Sequence, residues 1–352
     1  FNKSIGNIAL IDELEYASEA EKWLQMAATE SDKLITSGRY EIYNTGHPQE
    51  DYFNMYRIDD KSDLKEAVLY VDYKTNIREH NMAAAGREAG CGFSKSFVES
   101  FLCSDGLPIS LSNKYLGDET MRKETANRDP RLKQLILTND FPTNVTDDLK
   151  DSTFVVNEDE FITQHCFTGY RPIKGFNPIY SQALYMKSSF DGIAYRYAET
   201  LLINAEAKAE LNTITNADLD RTVNQLRDRV GMPHLTVNVG FTDPKWPDWG
   251  YSLSPVLQEI RRERCIELAG EGFRFNDLKR WKAGKLLNNV LTYVGKRKPD
   301  GNLAIVYPNY TNPDLSYQAG KSRTWEDKMY LYPIPTGELQ RNPQLLPQNP
   351  GW

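Results

Sequence analysis

The sequence has little cysteine, no excess of positive charge and no long apolar run. Four cysteines in 352 residues are too few and too scattered for a disulfide framework or a zinc site. The net charge of −7 argues against a nucleic-acid binder, because such proteins carry a basic stripe. No apolar run approaches the roughly 20 residues of a membrane span. We therefore expect no nucleic-acid partner and no segment that crosses a bilayer.

Motifs of known catalytic sites are also missing. The sequence has no G-x-S-x-G elbow, P-loop or H-E-x-x-H motif. Its four histidines lie far apart, and none has the spacing of a helical metal pair. The glycines between residues 80 and 96 do not have the spacing of a dinucleotide fingerprint. We therefore predict no catalytic residues, no metal and no cofactor.

What the sequence has is helical periodicity and aromatic residues. Apolar residues recur at helical spacing over 18–35, 193–209, 219–230 and 254–281, with AVLYVDY (residues 67–73) as a strand. The two helices between 193 and 231 are close in length to a tetratricopeptide repeat, and 254–284 is predicted to form a second hairpin. We therefore predict a mainly α fold of tetratricopeptide-like hairpins stacked as an α-α superhelix, with long irregular loops and a few short strands.

The stretch from Ser254 to Gly284 places charges within its apolar stripe. Arg264, Glu267 and Glu271 lie on the same face as the leucines and isoleucine of the helix. Because burying an isolated charge costs roughly several kcal/mol, these three side chains must be paired. We expect a partly buried network in which Arg264 pairs with Glu267, and a structural role is favoured over a catalytic carboxylate cluster.

Three stretches resemble one protein family. The run RRERCIELAGEGFRFNDLKRW (261–281), the alanine-rich YRYAETLLINAEAKAEL (195–211) and the terminal YLYPIPTGELQRNPQLLPQNPGW (330–352) are similar to motifs of the RagB/SusD family. These are glycan-binding lipoproteins of the Bacteroidetes outer membrane. The resemblance covers the family's C-terminal two-thirds or so, and the lipid anchor and first repeats are expected outside this chain.

The resemblance implies a non-catalytic protein on the outer face of the outer membrane. Its implied partners are a glycan and a SusC-like TonB-dependent transporter, which takes up the delivered oligosaccharide, and its implied contact with the membrane is only through the lipid anchor. The expected division is 1–75 (helix and short strands), 76–192 (loop-rich, ligand-facing), 193–290 (helical-repeat core) and 291–352 (irregular strap), with 76–352 as the family domain.

Two loop regions are candidates for glycan binding, because sugar rings pack on exposed aromatic side chains beside polar groups. In the first, Trp246, Trp249 and Tyr251 alternate with charges, and two prolines stiffen the loop. The alternative is that these rings fasten the loop to the helices. The second candidate, within 138–171, contains Phe141, Tyr170 and Arg171.

Three other functions stay open. A glycoside hydrolase needs two carboxylates about 5 to 10 Å apart in a cleft, and a sequence rich in acids does not exclude that. A family member that captures peptide, or a repeat scaffold that binds only protein, also fits the helical pattern. Hydrolysis assays and binding of soluble oligosaccharides distinguish these functions.

Overall fold

A computed structural model gives the fold, and the structure describes residues 16–82, 92–138, 144–145, 151–152, 170–177, 179–288 and 324–352. Within these ranges the chain is mainly helical, with two small two-stranded sheets. The predicted fold class is confirmed. The cysteines in the described part, Cys103 and Cys265, are free.

The first described helix, α1, spans Tyr16–Thr36. The predicted helix over 18–35 is therefore confirmed. It ends just before Gly38, whose φ of +62° is a left-handed conformation that glycine adopts at little cost. The sequence also has an apolar run over residues 8–14 that could form a preceding helix, and it lies outside the described residues.

The middle of the chain contains short elements. Strand β1 spans Ala67–Val71, as predicted, and β2 (Asn144–Val145) pairs with β3 (Asp151–Ser152). The short helices are α2 (Asp51–Asn54, followed by a 3-10 turn over Met55–Arg57), α3 (Lys95–Ser100), α4 (Met121–Thr125), α5 (Arg131–Leu135) and α6 (Tyr180–Ala183). Tyr52 of α2, Val98 of α3, Met121 of α4 and Leu132 of α5 belong to one core cluster, which also includes Tyr170.

Strand β4 and helix α7 follow each other without a break. β4 spans Gly192–Arg196 and pairs antiparallel with β1, and α7 spans Tyr197–Glu210. The predicted helix beginning at Ile193 is therefore wrong in its first four residues. Pairing with β1 satisfies the backbone there, and a sequence pattern does not reveal this long-range pairing.

Helix α7 lies between α1 and the later helix α10 (Pro255–Glu267). Asn204 donates hydrogen bonds to the Ala28 carbonyl and to Ser31 Oγ, both at 3.0 Å. Ala198 and Ala205 are fully buried, so small side chains allow close helix packing, as the sequence indicated. Apolar residues of α7 and α10 form the second core cluster.

The predicted helix over 219–230 is interrupted. It consists of α8 (Asn216–Asp220) and α9 (Val223–Arg229). Thr215 caps α8: its side chain accepts from the Asp218 N–H, and the Asp218 carboxylate accepts from the Thr215 N–H. Gly231, at φ +65°, follows the end of α9.

Helix α10 begins after Ser254, whose hydroxyl accepts from the Leu257 N–H. Gly270 and Gly272 both have positive φ and separate α10 from α11, Arg274–Arg280. The predicted hairpin is therefore confirmed. On α11, Leu278 is buried and Phe275 is 45% exposed, and Trp281 directly after the helix is buried.

The C-terminal part, 324–352, lies on the surface and is only partly extended. After a 3-10 turn over Gly284–Asn288, it contains a 3-10 turn (Asp327–Tyr330), α12 (Thr336–Arg341) and a further 3-10 turn (Pro343–Leu345). The Tyr330 hydroxyl accepts from the Gly284 N–H at 2.9 Å, which holds this part against the end of the α11 hairpin.

Candidate functional site

The aromatic loop, residues 241–253, is fastened to the side of α10. Trp246 Nε1 donates to Glu259 Oε1 at 2.7 Å, and Trp249 Nε1 donates to Gln258 Oε1 at 2.6 Å. At helical spacing, both acceptors lie on the face of the helix opposite the apolar stripe. That face is not solvated, because the loop covers it and Glu259 is fully buried.

Asp243 fixes the entrance of the aromatic loop. Its carboxylate accepts from Arg262 Nη2 at 2.6 Å, from Ser110 Oγ at 3.0 Å and from the Lys245 N–H at 2.8 Å. Arg262 also donates to Glu259 Oε1 at 3.1 Å. The loop is thus held in one position before any ligand arrives, which lowers the ordering cost of binding.

The exit of the loop is held by aromatic rings around Arg261. Trp249 and Trp281 meet edge to face, with ring centroids 5.4 Å apart. The Arg261 guanidinium lies 5.0 Å from the first ring and 4.6 Å from the second, within cation–π range. Tyr251 donates its hydroxyl proton to the Trp281 carbonyl at 2.5 Å and accepts from Arg261 at 2.9 Å.

The three aromatic residues predicted in this loop differ in exposure. Trp249 is only 6% exposed and packs in the hydrophobic cluster of Trp281, so it fastens the loop and offers little surface to a ligand. Trp246 is half-buried, and Tyr251 is 37% exposed. The rings therefore fasten the loop to the helix, and two of the three still have accessible surface.

The second predicted group is not a surface cluster. Tyr170 is fully buried, and its hydroxyl donates to Glu124 Oε1 at 2.9 Å. It therefore supports the core. Arg171 is half-buried, with its carbonyl accepting from the Leu137 N–H at 2.8 Å. Phe141 lies outside the described residues.

The expected ion network is present and is centred on Glu267. Its carboxylate accepts from Arg229 at 2.6 and 2.7 Å, from Arg196 at 2.6 Å and from Arg131 at 2.9 Å. Arg196 also contacts Glu271 at 2.7 Å, so the two glutamates of the prediction are bridged by one guanidinium.

The electrostatics of this network follow from burial and from the guanidinium groups. Burial raises the pKa of Glu267, but Arg229, Arg196 and Arg131 outweigh it and hold the pKa well below its usual value. Burial likewise raises the pKa of Glu271, and Arg196 and Lys174 overcome that effect and lower it to about 2. Both carboxylates are therefore ionised and fully committed to their partners.

Arg264 does not belong to this network. Its Nε contacts the Asp277 carboxylate at 2.9 and 3.0 Å, and the predicted pair with Glu267 is wrong. Arg264 leans towards α11, whereas Glu267 faces α5, β4 and α9. Spacing alone allowed the intrahelical pair, but partners on other helices satisfy both charges better.

Several residues of the site and its support were missed by the sequence analysis. Arg131, Arg196 and Arg229 reach Glu267 from positions 38 to 136 residues away in the chain, so no local pattern reveals them. Asp243 had a weak signal, since it stands just before the first proline of the aromatic loop.

The described residues contain no group of three or more metal-ligating side chains suited to an ion. In that same part of the chain, no helix combines the length and apolar character that crossing a membrane requires.

Comparisons with known proteins agree on one family. The model of the SusD family (SusD_RagB) matches residues 34–352. SusD-like protein P2 of Formosa agariphila is 33% identical over 166 residues, which are 47% of this chain and 27% of that protein.

Solved structures give the same fold. A SusD-like protein of Bacteroides fragilis superimposes with a TM-score of 0.64 at 24% identity, over 94% of this chain and 62% of that one. A SusD-like carbohydrate-binding protein of the same species gives a TM-score of 0.59 at 22% identity, over 92% and 62%. This chain spans less than two thirds of the length of these relatives.

Proposed function

The chain belongs to the SusD family, and on this premise we propose that it binds an oligosaccharide or polysaccharide without cleaving it. The match over residues 34–352 is the observation that carries this proposal. A relative of the same fold is described as a carbohydrate-binding protein, which supports a glycan as the ligand class.

The finer parts of the proposal follow from the family. We propose that the protein acts on the outer face of the outer membrane, held there by a lipid anchor, and that it delivers the glycan to a SusC-like TonB-dependent transporter for nutrient uptake. Purification of the tagged protein from outer membranes tests the partnership: a TonB-dependent transporter should co-purify in stoichiometric amount. Its absence under mild detergent would contradict the partnership without touching glycan binding.

Glu267 at the end of α10 and Glu271 in the turn after it do not suit hydrolysis. A glycosidase needs a carboxylic acid that is protonated near neutral pH, which requires a raised pKa. The pKa of Glu267 and that of Glu271 are both lowered, and guanidinium groups occupy their oxygens. These residues therefore suit a structural role.

For the site, we propose the exposed part of the aromatic loop, with Trp246 and Tyr251 as the sugar-facing rings. Arg171 and Phe141, from the second predicted region, stay proposed contacts as well. The hydrogen bond from Trp246 to Glu259 fixes the indole plane, and a fixed ring binds a pyranose face at low entropic cost. Lys245 and Asp248, both exposed, supply polar groups beside the rings.

Replacement of the indole tests this site. We expect Trp246→Ala to raise the Kd for a bound soluble oligosaccharide by about tenfold, the size of an aromatic contact, while Trp246→Phe keeps most of the affinity. Trp23→Ala, at an indole 51% exposed on α1, is the matched control. Isothermal titration against neutral hexasaccharides (maltohexaose, cellohexaose, laminarihexaose, xylohexaose) measures this.

Three results would contradict parts of the proposal. If Trp246→Ala binds the sugar normally, the proposed site is wrong, and the proposed function stands. Release of reducing sugar from any glycan that the purified protein binds shows a hydrolase, and a family member that binds only peptide gives no heat with any of the sugars.

A further inference from the structure

A second concave surface lies away from the aromatic loop. An open groove of about 740 Å³ is formed where the end of α1, the segment 39–44 and α9 meet. Neither the aromatic loop nor α10 lines it. Its volume falls in the range of small-molecule sites, roughly 300 to 1,000 Å³.

The floor of the groove contains a pair of stacked tyrosines. The rings of Tyr40 and Tyr197 lie 6.0 Å apart between centroids, with planes inclined by 29°. Tyr197 is the first residue of α7 and is buried, so it supports one side of Tyr40. Tyr40 is half-buried and lines the groove, which makes it a fixed platform of the kind that packs on an apolar ligand face.

The rim supplies hydrogen-bonding groups of both kinds. Gln225 Nε2 donates to the Arg221 carbonyl at 2.9 Å, and Asn44 Oδ1 accepts from the Gly46 N–H at 3.0 Å. Among the described contacts, Gln225 Oε1 and Asn44 Nδ2 make no hydrogen bond, so one acceptor and one donor are available at the groove. Sugar hydroxyls both donate and accept, and such paired amides suit them.

The charges at the groove favour a neutral ligand. Three charged residues line it, and each already has a partner. Glu41 accepts from Lys65 at 2.8 Å, Asp228 Oδ1 lies 2.7 Å from His234 Nε2, and the Arg221 guanidinium donates to Asp32 at 3.1 Å. Carboxylates at the rim repel anionic sugars, because like charges at short range destabilise binding. A uronic acid or sulfated sugar therefore fits this groove poorly.

We propose that the groove is a second saccharide-binding site, which takes a short neutral oligosaccharide with one ring on Tyr40 and its hydroxyls on Asn44 and Gln225. This inference rests on the proposed function, because it assigns a second site to the same ligand class. Two separated sites on one chain let a long glycan bind at both, and the second contact becomes intramolecular.

The test weakens the first site and asks whether a second site keeps its affinity. In a Trp246→Ala background, isothermal titration with the four neutral hexasaccharides should still show one equivalent of binding at undiminished affinity for the sugar that the wild type takes. Adding Tyr40→Ala should then weaken that binding by about tenfold or more, and adding Tyr40→Phe should preserve it. Tyr195→Ala, at a tyrosine 56% exposed on β4, is the control and should change nothing.

Because Tyr40 also packs on the second core cluster, a second variant tests the groove without changing the core. Gln225→Ala leaves that core intact and should weaken binding several-fold in the same background. The proposal of a second site is refuted if Trp246→Ala abolishes all sugar binding. It is also refuted if both Tyr40→Ala and Gln225→Ala, added to Trp246→Ala, leave the affinity unchanged. In either case the proposed function stands. Absence of any sugar binding by the wild type overturns both proposals.

Discussion

At the scale of single residues, the charged side chains of α10 differ in their partners, and the partners decide their role. Glu267 is fully buried and receives three guanidinium groups from α5, β4 and α9. Removing one member of such a network leaves the others unpaired, which is what makes a buried ion network costly to break. Glu267 therefore ties three separate parts of the chain to α10.

Arg264 and Asp277 should be energetically coupled. A double-mutant cycle with Arg264→Met and Asp277→Asn is expected to give a coupling energy of about 1 kcal/mol or more, because the two side chains are buried and in direct contact. The same cycle on Arg264 and Glu267 should be additive within roughly 0.5 kcal/mol, since they share no partner. Urea unfolding followed by tryptophan fluorescence measures both. Coupling of Arg264 with Glu267 as strong as with Asp277 would contradict the observed pairing.

At the scale of elements, α10 joins the aromatic loop to the ion network. Gln258, Glu259 and Arg262 hold the loop on one side. Glu263 and Glu267 receive Arg131 on the other. A helix used on both sides has no solvated face, and this explains why its charged residues are buried.

The aromatic loop should become more mobile when the hydrogen bonds of Asp243 are removed. In Asp243→Ala, Ser110, Lys245 and Arg262 lose a shared acceptor, so amide hydrogen exchange over residues 241–250 should speed up by about tenfold, a cost of roughly 1.4 kcal/mol in local opening. Thr242→Ala, at an exposed side chain of the same loop, is the control and should change exchange little. Affinity for the bound hexasaccharide should fall in parallel, because the ordering cost moves to the binding step. Unchanged exchange in Asp243→Ala would show that the aromatic rings alone fix the loop.

The elements also show what the sequence could and could not predict. Local signals located α10: Ser254 before Pro255 marks its start, and Gly270 marks the turn after it. The start of α7 was placed too early, because β4 is determined by pairing with β1 across more than 100 residues. Trp246 and Trp249 look alike in sequence, and only the position of Trp281 shows that the second ring is buried while the first is half-buried.

At the scale of the whole molecule, a chain with net charge −7 keeps its internal charges balanced by placing arginines inside. Arg131, Arg196, Arg229 and Arg261 are all at most 2% exposed. Each is bound to at least one carboxylate. The buried carboxylates are ionised because these arginines balance their charge. Protonation in acid should therefore destabilise the core as well as the surface.

Stability should therefore fall steeply in acid. Burial raises the pKa of Glu206, but Arg280 outweighs it and lowers the pKa to about 2, and Glu271 likewise has a pKa of about 2, against a usual value of 4.5. Their stabilisation is complete above pH 4.5 and is lost as the pH falls towards 2. Each carboxylate contributes roughly 1.4 kcal/mol per pH unit within that window.

Urea titrations at pH 7, 4.5 and 3 separate this contribution from general acid effects. In Glu206→Gln the free energy of unfolding should fall less between pH 4.5 and 3 than in the wild type, because the variant has no carboxylate to protonate at that position. Glu338→Gln, at an exposed pair on α12, should keep the wild-type slope, since exposed ion pairs contribute little. An identical slope in wild type and Glu206→Gln would mean that Glu206 titrates alike in the folded and unfolded chain, and the buried arginines would then not act as its counter-charges.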